Sequence, residues 1–389
     1  MTHTLAVNLT KELLKIESTD PGTYESAIET WIRSWLTQLP DILISEEEVL
    51  PGRKNLMAEI PGTTPSSPAL IFICHMDTGV VGDGWNVPPF EAAETGDIIY
   101  GRGACDMKSG LACCLSAFAH AAYEKERTGR NPLSSLKLIC TVDEEDFMRG
   151  AEAAILSGWV TGKDWILDAE PTDGQIQVSH KGRLWYEITV TGRTAHASTP
   201  WKGADAIAAM AELIHEIRIP IQAAPIHPDL GPSTVTFGQI QGGYRPYVVP
   251  DACTVWIDFR LAPPLDASAI QKIIAGAEKK TEAMMPGISI SHKVTGNRPY
   301  IVKNPDAPLL KYLKNACRQV TGHSPAVTCF PGYTDTAVIA GNLHNPNCMS
   351  YGPGSLENAH QPDEYVSIQD ILRCEKVYQR LTDSLFPPH

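Results

Sequence analysis

Three short apolar runs, ALIFIC at 69–74, LKLICTV at 136–142 and WIL at 165–167, each break off into histidine or carboxylate residues. Runs of this length bounded by polar residues read as buried strands. The stretch DMKSGLACCLSAFAHAAYEK, which separates the first two, has the length of a covering helix. Strands alternating with helices indicate an α/β domain with a mixed, largely parallel sheet, and its carboxyl edge is where sites are built.

A chain of 389 residues is longer than one hydrophobic core usually holds, so two domains are expected. From about residue 180 the texture changes to amphipathic strands, LWYEITVTG, STVTFGQI, ACTVWIDFR and ISISHKV, with helical stretches near 203–218 and 266–281. That order is β-α-β-β-α-β, a small α+β ferredoxin-like unit. The expected organisation is a catalytic domain in two parts, 1–179 and 295–389, with an inserted lid or dimerisation domain at 180–294. Helices are also expected over 24–39, where Ile28, Trp31, Ile32 and Trp35 share a stripe, and near 306–320 and 367–381.

A formal charge of −13 without any Lys/Arg run disfavours nucleic acid as a partner. The first 18 residues carry Lys11, Glu12 and Lys15 inside their apolar pattern and read as an amphipathic helix, not a secretory signal. The apolar run PALIFIC is far shorter than the roughly 20 residues a membrane span needs. No membrane association and a cytoplasmic location are therefore expected. Ten cysteines contain no CxxC pair and read mostly as small buried hydrophobes, with Cys74 and Cys105 flanking the motifs below.

Directly after ALIFIC come His75 and Asp77, which share a face if the strand continues, so a carboxylate could orient the imidazole. Taken alone, such a pair is more often structural. In YGRGACDMKSG a turn containing Gly101 and Gly103, with Gly110 beyond, delivers Asp106 at the expected start of a helix. It could be an N-cap, or a carboxylate bridging two metals roughly 3.5 Å apart. The run DEED puts Glu144 and Glu145 after a buried strand. On an extended backbone their side chains diverge, so one can ligate a metal while the other addresses water. Asp168 and Glu170 follow WIL, and His360 lies in the late loop GPGSLENAHQPDEY. Each residue has a bland explanation singly; their joint arrival at successive strand ends points to a two-metal centre.

This pattern resembles the co-catalytic zinc exopeptidase and deacylase family that includes acetylornithine deacetylase, succinyl-diaminopimelate desuccinylase, aminoacylase and glutamate carboxypeptidase. The likeness runs from HMD to HQPDEY and implies a zinc-exopeptidase-like catalytic domain. It further implies that His75 and Glu170 hold one zinc, Glu145 and His360 the other, and Asp106 bridges them. Some relatives place a ligand at the position of Asp168, which stays an alternative to Glu170. Asp77 would stand behind His75 and Glu144 would be the general base. GRTAHASTPWKGADAI and GGYRPYVVPDACTVWIDFR also match, implying that His196 stabilises the oxyanion and Arg260 grips a substrate carboxylate. Tyr247 stands where relatives often carry asparagine, which alters the substrate pocket.

The resemblance thus implies a zinc-dependent amidohydrolase or metallopeptidase, with Co2+ or Mn2+ as possible substitutes, acting as a homodimer. Its substrate would be an N-acyl amino acid or a short peptide with a free carboxylate. A carboxypeptidase or dipeptidase is the rival activity, and a catalytically silent scaffold the rival from another class.

Overall fold

A computed structural model describes residues 4–386. Packing divides the chain into two units, one comprising the chain up to Val178, Lys303–Phe330 and Thr334 onward, the other Ser179–Val302 with Pro331–Tyr333.

The first unit is built on a mixed eight-stranded sheet in the order Leu43–Leu50, Arg53–Ile60, Leu136–Thr141, Leu70–His75, Trp165–Asp168, Cys348–Ser350, Ile176–His180 and Val327–Phe330. Its centre is parallel: Leu70–His75 pairs in parallel with both Leu136–Thr141 and Trp165–Asp168, which in turn pairs in parallel with Cys348–Ser350. Toward one edge the pairing turns antiparallel, through Arg53–Ile60 and Leu43–Leu50. All six residues of Leu70–His75 are buried, because both faces are covered. Leu70, Phe72 and Cys74 join the core formed with helices Leu5–Leu14, Ser109–Thr128 and Ile368–Asp383, where the Phe72 and Tyr378 rings lie 5.2 Å apart. Ile71 and Ile73, equally buried, point the other way by strand alternation. The helix Asp335–Leu343 also packs against this strand.

Two expectations shift. The helix preceded by Asp106 begins only at Ser109, and Asp106 itself is extended at φ −120° and ψ 96°, so it is not an N-cap. The strand Leu136–Thr141 stops before the DEED run, and Glu144 and Glu145 lie in a turn rather than on extended backbone.

The second unit is a four-stranded antiparallel sheet in the order Thr234–Gly242, Ala252–Leu261, Gly182–Thr191 and Ser289–Arg298, with helices Ala206–Gln222 and Ala267–Met284. This is the β-α-β-β-α-β arrangement read in the sequence. Each helix starts at an aspartate cap: Asp205 accepts the N–H of Ile207 and Ala208, and Asp266 that of Ala269. Strict alternation in Gly182–Thr191 buries Leu184, Tyr186, Ile188 and Val190 against the helices and leaves Arg183, Trp185 and Glu187 on the other face. No helix among the described residues is long and apolar enough to cross a membrane.

Candidate metal centre

The end of one central strand of the first unit and segments that follow two others, together with the turn before Ser109–Thr128 and the loop carrying His360, bring five of the sequence-selected side chains together. His75 closes the strand Leu70–His75, and its Nε2 lies 3.1 Å from Oδ1 of Asp106 and 3.7 Å from Oε1 of Glu170. On the other side of Asp106, Oδ2 is 3.5 Å from Nε2 of His360, which lies 2.9 Å from Oε2 of Glu145. Two triads result, His75–Asp106–Glu170 and Asp106–Glu145–His360, the potential ligand atoms of each lying within 4.8 Å of one another. Asp106 belongs to both.

Nδ1 of His75 donates to the main-chain carbonyl of Asp77 at 2.9 Å, while the Asp77 carboxylate is farther off at 3.7 Å. The carbonyl, not the expected carboxylate, therefore orients the ring. With Nδ1 engaged by that carbonyl, Nε2 is the nitrogen turned toward Asp106 and Glu170, donating to Asp106 here and placed to serve as the ligand atom once a metal takes the place of its proton. The halves differ in exposure: the His75 side chain is 1% exposed and that of His360 55%.

Glu170, not Asp168, faces His75. The Asp168 carboxylate instead accepts the Thr336 hydroxyl at 2.7 Å, with burial raising it to about 6. Burial acts to raise the Asp106 carboxyl, but hydrogen bonds with His360 and His75 hold it well below the usual carboxylate range. Those hydrogen bonds, with Asp106 and Glu145, lift His360 to about 11. Burial raises Glu144 and Glu170 well above the usual range, reinforced by neighbouring carboxylates and opposed by His75. Asp77 is raised to about 8, again chiefly by burial.

Glu144, Glu145, Asp77, Asp106 and Glu170 thus crowd around two imidazoles. Such a concentration of carboxylates is costly unless cations share the space. One imidazole and one carboxylate for each ion, with a shared carboxylate between, fits a pair of divalent cations and leaves room for solvent ligands.

Other site features were not selected from the sequence. Glu364, four residues past His360, forms a buried pair with Arg102, and the Asp335 carboxylate accepts the Thr141 hydroxyl at 2.6 Å, with burial raising it to about 7. The acid four residues after His360 and the arginine in the Gly101–Gly103 turn were the available signals. Contact between positions 262 residues apart was not.

His196, Arg260 and Tyr247 lie in the second unit. His196 is exposed, and its Nδ1 accepts the Ser198 N–H at 3.2 Å, which leaves the ring proton on Nε2 as a donor. The Tyr247 carbonyl accepts the Ala197 N–H at 3.1 Å, and its side chain is exposed. Arg260 is paired with Asp258, Nε to Oδ1 at 2.9 Å, and stands level with Arg183 on the adjacent strand, which in turn stands level with Arg298 on the strand beyond.

Residues 71–384 match the model of peptidase family M20/M25/M40. The chain belongs to the M20 peptidase family. It is accordingly a hydrolase, and the family's metal dependence accords with the donor set. Among the relatives of this M20 hydrolase is a probable succinyl-diaminopimelate desuccinylase of Staphylococcus aureus, 28% identical over 356 residues, covering 84% of this chain and 85% of the relative. An acetylornithine deacetylase of Aliivibrio fischeri is 28% identical over 380 residues, 94% of each chain. A tripeptidase of Staphylococcus aureus shares the fold, with a TM-score of 0.80, 21% identity and 98% coverage of both chains.

Proposed function

We propose that this M20 hydrolase cleaves the amide bond of an N-acyl amino acid, as a deacylase or desuccinylase, with Glu144 as general base. The observation that carries the reading is the carboxylate of Asp106 shared between the His75–Glu170 and Glu145–His360 triads. Two zinc ions, with Co2+ or Mn2+ as substitutes, would be held there, polarising the scissile carbonyl and lowering the pKa of the attacking water toward roughly 7.

The remaining chemistry falls to the chain. Glu144 is no member of either triad, so its carboxylate is available to take the proton from water and pass it to the leaving nitrogen. His196, with its proton on Nε2, supplies a donor for the charge developing on the carbonyl oxygen. Arg260 takes the free carboxylate of the substrate, exchanging it for Asp258, and its neighbours Arg183 and Arg298 add positive potential at the same level of the sheet. Tyr247 would border the substrate. The choice of acyl amino acids over peptides rests on the desuccinylase and deacetylase relatives. The same reading has the enzyme acting in the cytoplasm as a homodimer.

The test is hydrolysis by the metal-loaded enzyme of N-acetyl and N-succinyl amino acids beside a dipeptide panel. Release of the acyl group supports the reading. Cleavage of peptides alone would make the protein a carboxypeptidase or dipeptidase, and turnover unchanged by metal removal would overturn the mechanism. Sedimentation showing only the mass of a single chain would remove the dimer.

A further inference from the structure

Glu364 is 1% exposed and has no place in either metal triad, yet its carboxylate gathers four donors. Oε1 accepts the main-chain N–H of Cys105 at 2.9 Å and of Asp106 at 3.1 Å. Oε2 accepts the N–H of Gly103 at 3.0 Å and the Arg102 guanidinium at 2.6 Å. The main-chain carbonyl of Glu364 also accepts the N–H of Gly101 at 2.9 Å. One residue therefore satisfies most of the turn that delivers Asp106.

The turn can present its amides this way because Gly103 adopts a left-handed backbone, φ +84°, and a Cβ there would meet Thr78 Cγ2 at 2.6 Å. Arg102 is held independently, donating to the carbonyl of Val81 at 3.1 Å and lying over the Trp85 ring at 5.2 Å. At its other end the Glu364 loop carries His360, four residues earlier. Both His360 and Asp363 are non-glycine residues at positive φ, 61° and 55°. Asp363 is fixed in turn, accepting the N–H of Asn86 at 2.8 Å and of Val87 at 3.2 Å. Charge-assisted bonds from main-chain amides give little freedom to a buried carboxylate.

We infer that Glu364 is a positioning residue for the metal pair: by binding the main chain of Asp106 from the loop that bears His360, it sets the distance between the shared carboxylate and the second histidine. The inference rests on the two-metal reading of the site. His75 closes its strand and Glu170 follows the end of Trp165–Asp168, so the His75–Glu170 half meets Glu364 only through the shared Asp106, whereas the His360–Glu145 half meets it through both Asp106 and the loop bearing His360.

The experiment is a Zn2+ titration of the full-length chain against a chelating indicator, with elemental analysis and a melting curve of each metal-free form. E364Q replaces one acceptor oxygen with an amino group and leaves N–H donors without a partner. It is expected to weaken the ion at the His360 half by about 10- to 100-fold and the other, which feels the change only through Asp106, distinctly less. E364D, which keeps the charge, is expected to recover part of the loss. Unchanged affinity for both ions in E364Q, or equal weakening of both, would overturn the inference. Should E364Q fail to fold, E364D, whose shorter side chain cannot hold all of these amides at once, is judged by the same two outcomes. A wild-type chain that binds no metal would overturn the two-metal reading as well, whereas two ions in wild type and an indifferent E364Q would overturn this inference alone.

Discussion

The main-chain N–H of Glu145 donates to Oδ2 of Asp77 at 3.0 Å. Asp77 therefore serves both halves of the site: its carbonyl orients His75, and its carboxylate secures the turn carrying the glutamate that faces His360. Replacing Asp77 by alanine keeps the carbonyl and removes the carboxylate. The expected result is a loss of about 10- to 100-fold in kcat/KM, with Asp77→Asn intermediate because its amide oxygen can still accept one N–H. Steady-state kinetics with metal analysis check this. A fully active Asp77→Ala enzyme would show that the turn holds itself.

Glu144 is expected to separate metal binding from turnover. It lies outside both triads, so Glu144→Gln should retain two ions per chain while losing about 10²- to 10⁴-fold in kcat. Single-turnover measurement on the metal-loaded variant reads the chemical step directly. A variant that loses a metal along with activity would make Glu144 a ligand instead of the base.

The unequal exposure of the two histidines predicts unequal release of the ions. His360 is 55% exposed and His75 1%, so a chelator should strip the His360 half first, giving two kinetic phases of metal loss. Each ion stabilises the folded chain by mass action, about 2.7 kcal/mol at a free concentration one hundred times its Kd. Tm should thus fall in two steps as metal is withdrawn and recover on its return. A single phase with both ions leaving together would contradict the asymmetry.

The sheet centre and the side chains of the site were legible because two signals coincide there. ALIFIC, LKLICTV and WIL carry a burial pattern, and the residues that end them carry chemistry. The edge strand Leu43–Leu50 escaped notice because Glu46, Glu47 and Glu48 interrupt any apolar pattern on a half-exposed strand. The DEED turn was read as extended because nothing local announces the left-handed Asp143, φ +68°, or the contact that fixes it, its N–H donating to the distant Glu25 at 3.0 Å. The sequence puts Asp106 at the start of a helix, where capping competes with metal bridging, because spacing cannot show that the helix starts three residues later. Arg102–Glu364 and Thr141–Asp335 are invisible for the same reason: pairing across the chain depends on the fold, not on local pattern.

One surface pair gives stability a defined pH dependence. Nε2 of His120, on helix Ser109–Thr128, lies 2.8 Å from Oδ1 of Asp383 at the end of Ile368–Asp383. That hydrogen bond raises the histidine above its ordinary value of 6.5, against partial burial. A histidine raised on folding stabilises fully below its unfolded pKa and loses that contribution as pH climbs through the folded value. Both side chains are more than a third exposed, so the effect should not exceed about 0.5 to 1 kcal/mol. Denaturant melts of wild type and His120→Gln should differ at pH 6 and converge at pH 9. A difference that grows with pH would reverse the assignment.

Glu170 is held in place by the absence of two side chains. Its strand-end segment runs between Gly110 and Gly352: a Cβ on Gly110 would lie 2.2 Å from the Ala169 carbonyl oxygen, and one on Gly352 would lie 2.1 Å from the same oxygen and 2.4 Å from that of Glu170. These are backbone atoms and cannot swing aside, so Gly352→Ala should displace Glu170 itself. The expected cost is about 1–3 kcal/mol of stability from overpacking, with weakened metal binding at the His75 half and little change at the His360 half. Gly276→Ala is the control, since it sits on an exposed turn of helix Ala267–Met284 with nothing within 4 Å of its Cβ. There the added methyl should stabilise by about 0.5–1 kcal/mol, because alanine loses less backbone entropy in a helix than glycine. Chemical denaturation together with metal titration of both variants distinguishes a shift of Glu170 from a general response to added volume. Unaltered metal affinity in a folded Gly352→Ala protein would mean that this segment yields without moving the carboxylate.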